Sequence, residues 1–370
     1  MAVVTPPTPP EAESMPERNG ESRPAAARNF VTKLAISLML GAICVFLLRR
    51  GSLSLVPDRE SFARVDVLLV AIYFCLQITA NLIRAARWQC LLLPLAQLPL
   101  WTVIRVALVG YAAQVVLPLR AGEFARPLMI AREGRLTAWA ATGTIAAERV
   151  VDGVWLSLML LVSLLASTPL DPLPNHIGAL PVSPALVPPA AYAAVLVFVS
   201  AFAVMVAFYR WRSVMVRLID RTLGRVSAKL GKYVSGRLEQ LARGLDFLPD
   251  TRYSVPFLGL TALYWFLNAA TFVLLGAACH LPTMSFAQGV VIMGVLGLGI
   301  AIPSAPGQFG AFQLSVYAGL SLYFLPAAVS GPGSSYVFLL YVAQIAVALG
   351  SAAVALLLRT PARSADSLIS

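Results

Sequence analysis

Glu148, Arg149 and Asp152 fall near the middle of residues 138–166, a stretch otherwise apolar enough to be a transmembrane helix. An ionised side chain at the centre of such a helix costs roughly 2.5–3.5 kcal/mol on insertion scales, so it persists mainly where it is paired or faces a polar cavity. Glu148 and Asp152 are four positions apart and share a helix face, and Arg149 is three positions from Asp152. Counted from Ala138, the two carboxylates lie about 15 and about 21 Å along the helix, near mid-depth. Two readings stand: an ion-pair network that ties helices together, and a polar lining or proton relay for something that crosses.

A second constellation precedes the first. Leu117-Pro118-Leu119-Arg120-Ala121-Gly122-Glu123-Phe124-Ala125-Arg126 is a Pro/Gly-broken stretch with alternating charge. On a helix Arg120, Glu123 and Arg126 would share one flank, and Glu123 would bridge the two arginines. Free amides at the irregular start would point at an anion. Two guanidiniums, each able to bind a phosphodiester bidentately, make a phosphate-binding pocket. The plainer alternative is a set of side chains snorkelling at headgroup level. Arg120 and Arg126 are also candidate partners for Glu148 and Asp152.

The third constellation is Ile302-Pro303-Ser304-Ala305-Pro306-Gly307-Gln308-Phe309-Gly310. Two prolines remove amide donors and the glycines loosen the backbone, so no continuous helix passes through it. Broken backbone exposed to lipid is not tolerated, so this stretch must be buried in protein or line a cavity. Gln313 follows it and offers a neutral hydrogen-bonding group. Gly294, Gly297 and Gly299, before the break, read as close helix packing.

These residues need a membrane frame to hold them. The 370-residue chain is 59% hydrophobic and 12% charged, with a mean hydropathy of +0.79; soluble domains carry about 25% charged residues. The reading is an all-α polytopic bundle. Apolar runs at roughly 33–50, 66–83, 101–117, 138–166, 185–209, 255–279, 286–302, 308–327 and 336–358 suggest about 7–8 spans. The runs at 101–117 and 286–302 are short, which marks re-entrant or broken elements. Residues 1–32 read as a disordered tail, 33–358 as the membrane domain and 359–370 as a second tail. The run from Leu34 to Leu48 reads as a membrane anchor rather than a removed leader.

The net charge of +11 signals topology and anionic headgroups rather than nucleic acid, because the arginines lie between apolar spans. Ten Lys and Arg residues crowd 210–252, placing it and both termini in the cytoplasm. Arg84, Arg87 and Trp88 read as the anchor that ends the second span. In 211–248 apolar residues recur at three- and four-residue steps, so this basic segment reads as amphipathic helix on the inner leaflet. Gln77, Asn81 and Gln114 read as interhelical hydrogen bonders. Cys44, Cys75, Cys90 and Cys279 have no CxxC spacing, and His176 and His280 are far apart, so neither disulfides, a metal site nor a cofactor is expected.

Leu117-Pro-x-Arg120-x-Gly122-Glu123-x-x-Arg126, then Glu148-Arg149-x-x-Asp152, then Pro303-x-x-Pro306-Gly307-x-x-Gly310, in this order on one polytopic chain, resemble the flippase-like domain of lysylphosphatidylglycerol synthases. The resemblance covers most of residues 30–358. It implies translocation of a lipid between leaflets, the substrates ranging over phospholipids, hopanoids and polyprenyl-linked glycans, in a bacterial inner membrane. Synthases of the family add a soluble transferase domain after the membrane part; with the chain ending at Ser370, aminoacyl transfer is not expected. Many relatives carry Glu where Gln313 stands, so no carboxylate role is expected there. On this reading an anionic lipid is the partner, and Arg120, Gly122, Glu123, Arg126, Glu148, Arg149, Asp152, Pro303, Pro306, Gly307, Gly310 and Gln313 contact it. A lipid-modifying transferase, with Glu123 or Asp152 as base, and a non-catalytic subunit recruiting an enzyme through 210–252 are the alternatives.

Overall fold

The computed structural model describes residues 23–117, 122–134, 136–174, 177, 178, 180, 183–301 and 305–358, with 23–30, 223–226, 228 and 230 as backbone only. Arg120 and Pro303 lie outside the described residues, as do residues 1–22 and 359–370. Regular secondary structure among the described residues is helical, apart from one isolated bridge between Ile177 and Leu180. In order the helices are α1 (Arg23–Arg50), α2 (Arg59–Ala63), α3 (Val67–Leu92), α4 (Leu100–Val116), α5 (Ala125–Glu133), α6 (Ala138–Ala166), α7 (Val187–Arg210), α8 (Arg212–Val226), α9 (Ala228–Arg243), α10 (Thr251–Ala278), α11 (Phe286–Gly299), α12 (Ala311–Leu320), α13 (Pro326–Ser330) and α14 (Pro332–Leu357). Six of them, α1, α3, α6, α7, α10 and α14, are long and apolar enough to cross a membrane. α4 and α11 are apolar but shorter. The chain is thus a multi-pass membrane protein with an all-α fold.

Two stretches share one plan: a long helix, a short helix, a break, a second short helix and a long helix. The first is α3, α4, α5, α6; the second is α10, α11, α12, α14. Their leading helices pair antiparallel. The Asp66 amide donates to the Ala278 carbonyl at 2.9 Å, Gln77 to Thr271 at 2.9 Å and Arg87 to Thr261 at 3.1 Å. The halves then exchange partners, α4 packing on α14 and α11 on α6. On the latter seam Gly294 stands against Leu160 and Gly297 against Leu156, which lets the backbones approach. No repeat is visible residue by residue, yet the helices form an inverted pair.

Apolar side chains gather into two cores. One, with Tyr73, Leu160, Phe272, Phe312 and Tyr336, is built mainly on α11, α12 and the first part of α14. The other, with Trp88, Val106, Tyr111, Val151 and Phe257, is built mainly on α4, the end of α3 and the first half of α6. Along α3, α6 and α10 the membership changes from one core to the other, and the polar groups Asn81, Arg84, Asp152, Thr261 and Trp265 fall at that change. The membrane domain therefore has a polar seam between two apolar masses.

Beyond α7 the chain leaves the bundle through α8 and α9. α9 docks on the start of α6, where Gly143 meets the Leu241 carbonyl and has no room for a side chain. α8 packs against α9 and exposes Val214, Met215 and Leu218, at helical spacing, together with Trp211 just before it.

Candidate functional site

The seam holds a chain of ion pairs drawn from α3, α5 and α6, joined by hydrogen bonds from α10. α3 runs on as helix past Arg84 and Arg87 to Leu92, so both arginines are inside it. Arg87 is fully buried. Its two amino groups reach the two oxygens of Asp152 at 2.7 and 2.6 Å, a bidentate fork that fixes the plane of both groups. The same guanidinium donates to Glu148 at 3.3 Å and to Thr261 at 3.1 Å. Arg126, on α5, donates to Glu148 at 2.9 and 3.4 Å. Trp265, on α10, donates to Asp152 at 3.2 Å. Glu148 thus sits between two arginines, and Asp152 between an arginine and an indole.

Aromatic faces complete the lining. Arg126 lies over Trp88 at 4.3 Å and Tyr111 at 5.0 Å from the ring centroids, and Arg87 lies 5.0 Å from Tyr264. Trp88 is held by its own hydrogen bond to Thr144 at 3.0 Å. Ring faces attract a desolvated guanidinium, so they supply some of the stabilisation that water no longer gives.

Local sequence explains why Arg126 reaches Glu148. Its aliphatic stem passes over Gly110 on α4, where a Cβ would collide with it. Gly122 comes against the backbone of Ala113 and Gln114, again leaving no space for a side chain. Gly122 is therefore packed tightly on that helix, and α5 starts at Ala125 with Arg126 aimed at α6. Arg126 is turned to Glu148 rather than to Glu123, which lies with Arg149 at 3.7 Å. The flank expected to join Glu123 to Arg126 is thus divided between two carboxylates of different elements. Arg149 and Glu123 sit at the edge of the cluster, with side chains 32% and 28% exposed against 0% for Glu148.

The second break meets the same helix from the other half. Gly307 and Gly310 have φ of +67° and +87°, backbone that favours glycine. A Cβ on Gly307 would lie 3.0 Å from the Tyr341 hydroxyl and 3.9 Å from the Val115 carbonyl of α4. Gly110 and Val115 are about 7.5 Å apart along α4, so Arg126 and the bend at Pro306 pack on the same helix. Gln313 does not face the cluster. It is buried, and its side-chain oxygen accepts the Gly310 amide at 2.7 Å, closing the start of α12.

Sequence reasoning placed Arg84 and Arg87 at a headgroup-level boundary, and the structure corrects this. The signal was present: Trp88, Leu91 and Leu92 continue the apolar face beyond the arginines and are all fully buried. Gln77 and Asn81 behave as read, bonding Thr271 at 2.9 Å and Ser351 at 3.5 Å. The four cysteines are free, and no His/Cys/Asp/Glu group among the described residues is arranged to hold a metal ion.

Residues 30–350 match the family described as the lysylphosphatidylglycerol synthase TM region. The chain belongs to that family. No curated protein and no solved structure matches it. The match spans both inverted halves and the α8–α9 excursion, so the polar seam lies wholly within the family's domain.

Proposed function

We propose that this chain is an inner-membrane translocase that moves an anionic lipid between leaflets. A buried network of guanidiniums and carboxylates between two apolar cores, beside two backbone breaks that meet on α4, supports the reading. Charge is kept in a membrane interior at a cost, and paired sites beside broken helices of inverted repeats are where transporters hold polar cargo. The headgroup would pass along the seam while its tails remain in lipid, with phospholipids, hopanoids and polyprenyl-linked lipids as the substrate range.

On this reading the basic α8–α9 segment faces the cytoplasm, as do both termini, by the excess of Lys and Arg. The α8 face bearing Val214, Met215 and Leu218 lies on the inner leaflet. Fluorescent phosphatidylglycerol in proteoliposomes tests the proposal. Exchange between leaflets that requires the protein supports it; a chemically altered lipid would make the chain a transferase instead.

A further inference from the structure

Arg84 differs from the other cations of the seam. Arg87 and Arg126 are engaged by Asp152 and Glu148, and Arg149 lies against Glu123. Arg84 is three positions before Arg87 on the same helix, yet no ion pair of Arg84 is found among the described residues. Its guanidinium lies 4.3 Å from the Tyr111 ring centroid, and its buried Nε has no hydrogen-bond partner. A ring face offsets only part of the cost of taking a guanidinium out of water. The described cluster holds four guanidiniums, Arg84, Arg87, Arg126 and Arg149, against three carboxylates, Glu123, Glu148 and Asp152. Among these described residues one positive charge is in excess.

We propose that Arg84 is the anion-binding residue of this site and that its ligand is a singly charged phosphodiester, the headgroup phosphate of a membrane lipid. The inference rests on the lipid-translocase reading for the source of the phosphate. A guanidinium presents parallel N–H donors that match two phosphate oxygens, and one phosphodiester charge neutralises the excess. Tyr111 holds the empty guanidinium in place. Arg126, one of the two arginines first read as phosphate ligands, instead serves to hold Glu148 and to flank Tyr111. The site then selects a monoanionic lipid over a zwitterionic one, whose own ammonium already balances its phosphate.

The test is a titration of the protein in phosphatidylcholine nanodiscs with dihexanoyl phosphatidylglycerol, followed by tryptophan fluorescence and thermal unfolding. Wild type should bind saturably and unfold at higher temperature when loaded. Arg84→Gln should bind at least ten-fold more weakly, with Arg84→Lys intermediate. Unloaded Arg84→Gln should unfold close to the wild-type temperature, because no ion pair of Arg84 is found among the described residues. Wild-type affinity in Arg84→Gln overturns the proposal. So does a lower unfolding temperature restored by Arg84→Lys, which would make Arg84 a strut on Tyr111. Inorganic phosphate that binds as tightly as the lipid probe would make the ligand free phosphate and overturn the lipid assignment. Leaflet exchange separates the two levels. If Arg84→Gln loses binding but wild type exchanges no lipid, the site stands and the translocase reading falls. If wild type and Arg84→Gln exchange lipid equally, the reading stands and this inference falls.

Discussion

Arg87 grips Asp152 through both carboxylate oxygens, joining the far part of α3 to the middle of α6. The pair is buried and is extended by Glu148 and Trp265. Removing one partner of a buried pair costs about 3–5 kcal/mol, because the other charge remains without compensation. Arg87→Met should therefore lower the unfolding free energy by roughly that amount. Asp152→Leu combined with Arg87→Met should recover part of the loss. A double-mutant cycle in detergent measures this, and additive losses would contradict the pairing.

Gly110→Ala tests the positioning of Arg126. The new methyl group occupies the space of the Arg126 stem. Overpacking of this kind costs about 1–3 kcal/mol, and here it also turns the guanidinium away from Glu148. The variant should lose leaflet exchange beyond what its stability loss explains. Exchange normalised to folded protein is the measurement.

Gly310→Ala tests the second break. The residue has a φ of +87°, and a Cβ there would press on Cys44 of α1. An L-residue in left-handed backbone costs about 1–2 kcal/mol before any clash is counted. Thermal unfolding should shift down, while Gly350→Ala, which has open space around it, should not. Equal effects at both positions would mean that the break carries no special geometry.

Cysteine labelling checks orientation. In a chain cleared of its native cysteines, Ser213→Cys on α8 should react with an impermeant maleimide only from the cytoplasmic side. Pro57→Cys, in the α1–α2 connection, should react only from the opposite side. The reverse pattern would invert the topology and with it the side on which the charged cluster is loaded.

The fold was legible where periodicity and length decide it. Residues 138–166 form α6 with those same limits, and the short runs at 101–117 and 286–302 became α4 and α11. The candidate site was legible in part. Charges within an apolar run identify themselves, so Glu148 and Asp152 could be found, and Arg126 followed as a partner. Arg87 was not, because an arginine near the end of an apolar run was read as ending the span, although Trp88, Leu91 and Leu92 carry the apolar face on beyond it. Here α3 continues to Leu92, and the partners are 61 and 65 residues away in the chain. Gln313 was misread for a related reason: its role as a cap to Gly310 depends on the left-handed backbone of that glycine, which no spacing reveals.

Leaflet exchange of fluorescent phosphatidylglycerol in proteoliposomes, comparing wild type with Glu148→Gln, tests the central claim most directly. Glu148 joins Arg87 to Arg126, so its neutralisation takes the ion pair from Arg126 and leaves Arg87 to Asp152 alone, without changing side-chain volume. The account predicts rapid exchange by wild type and at least ten-fold slower exchange per folded molecule in the variant. Equal rates would contradict it and leave the ion pairs as scaffolding alone.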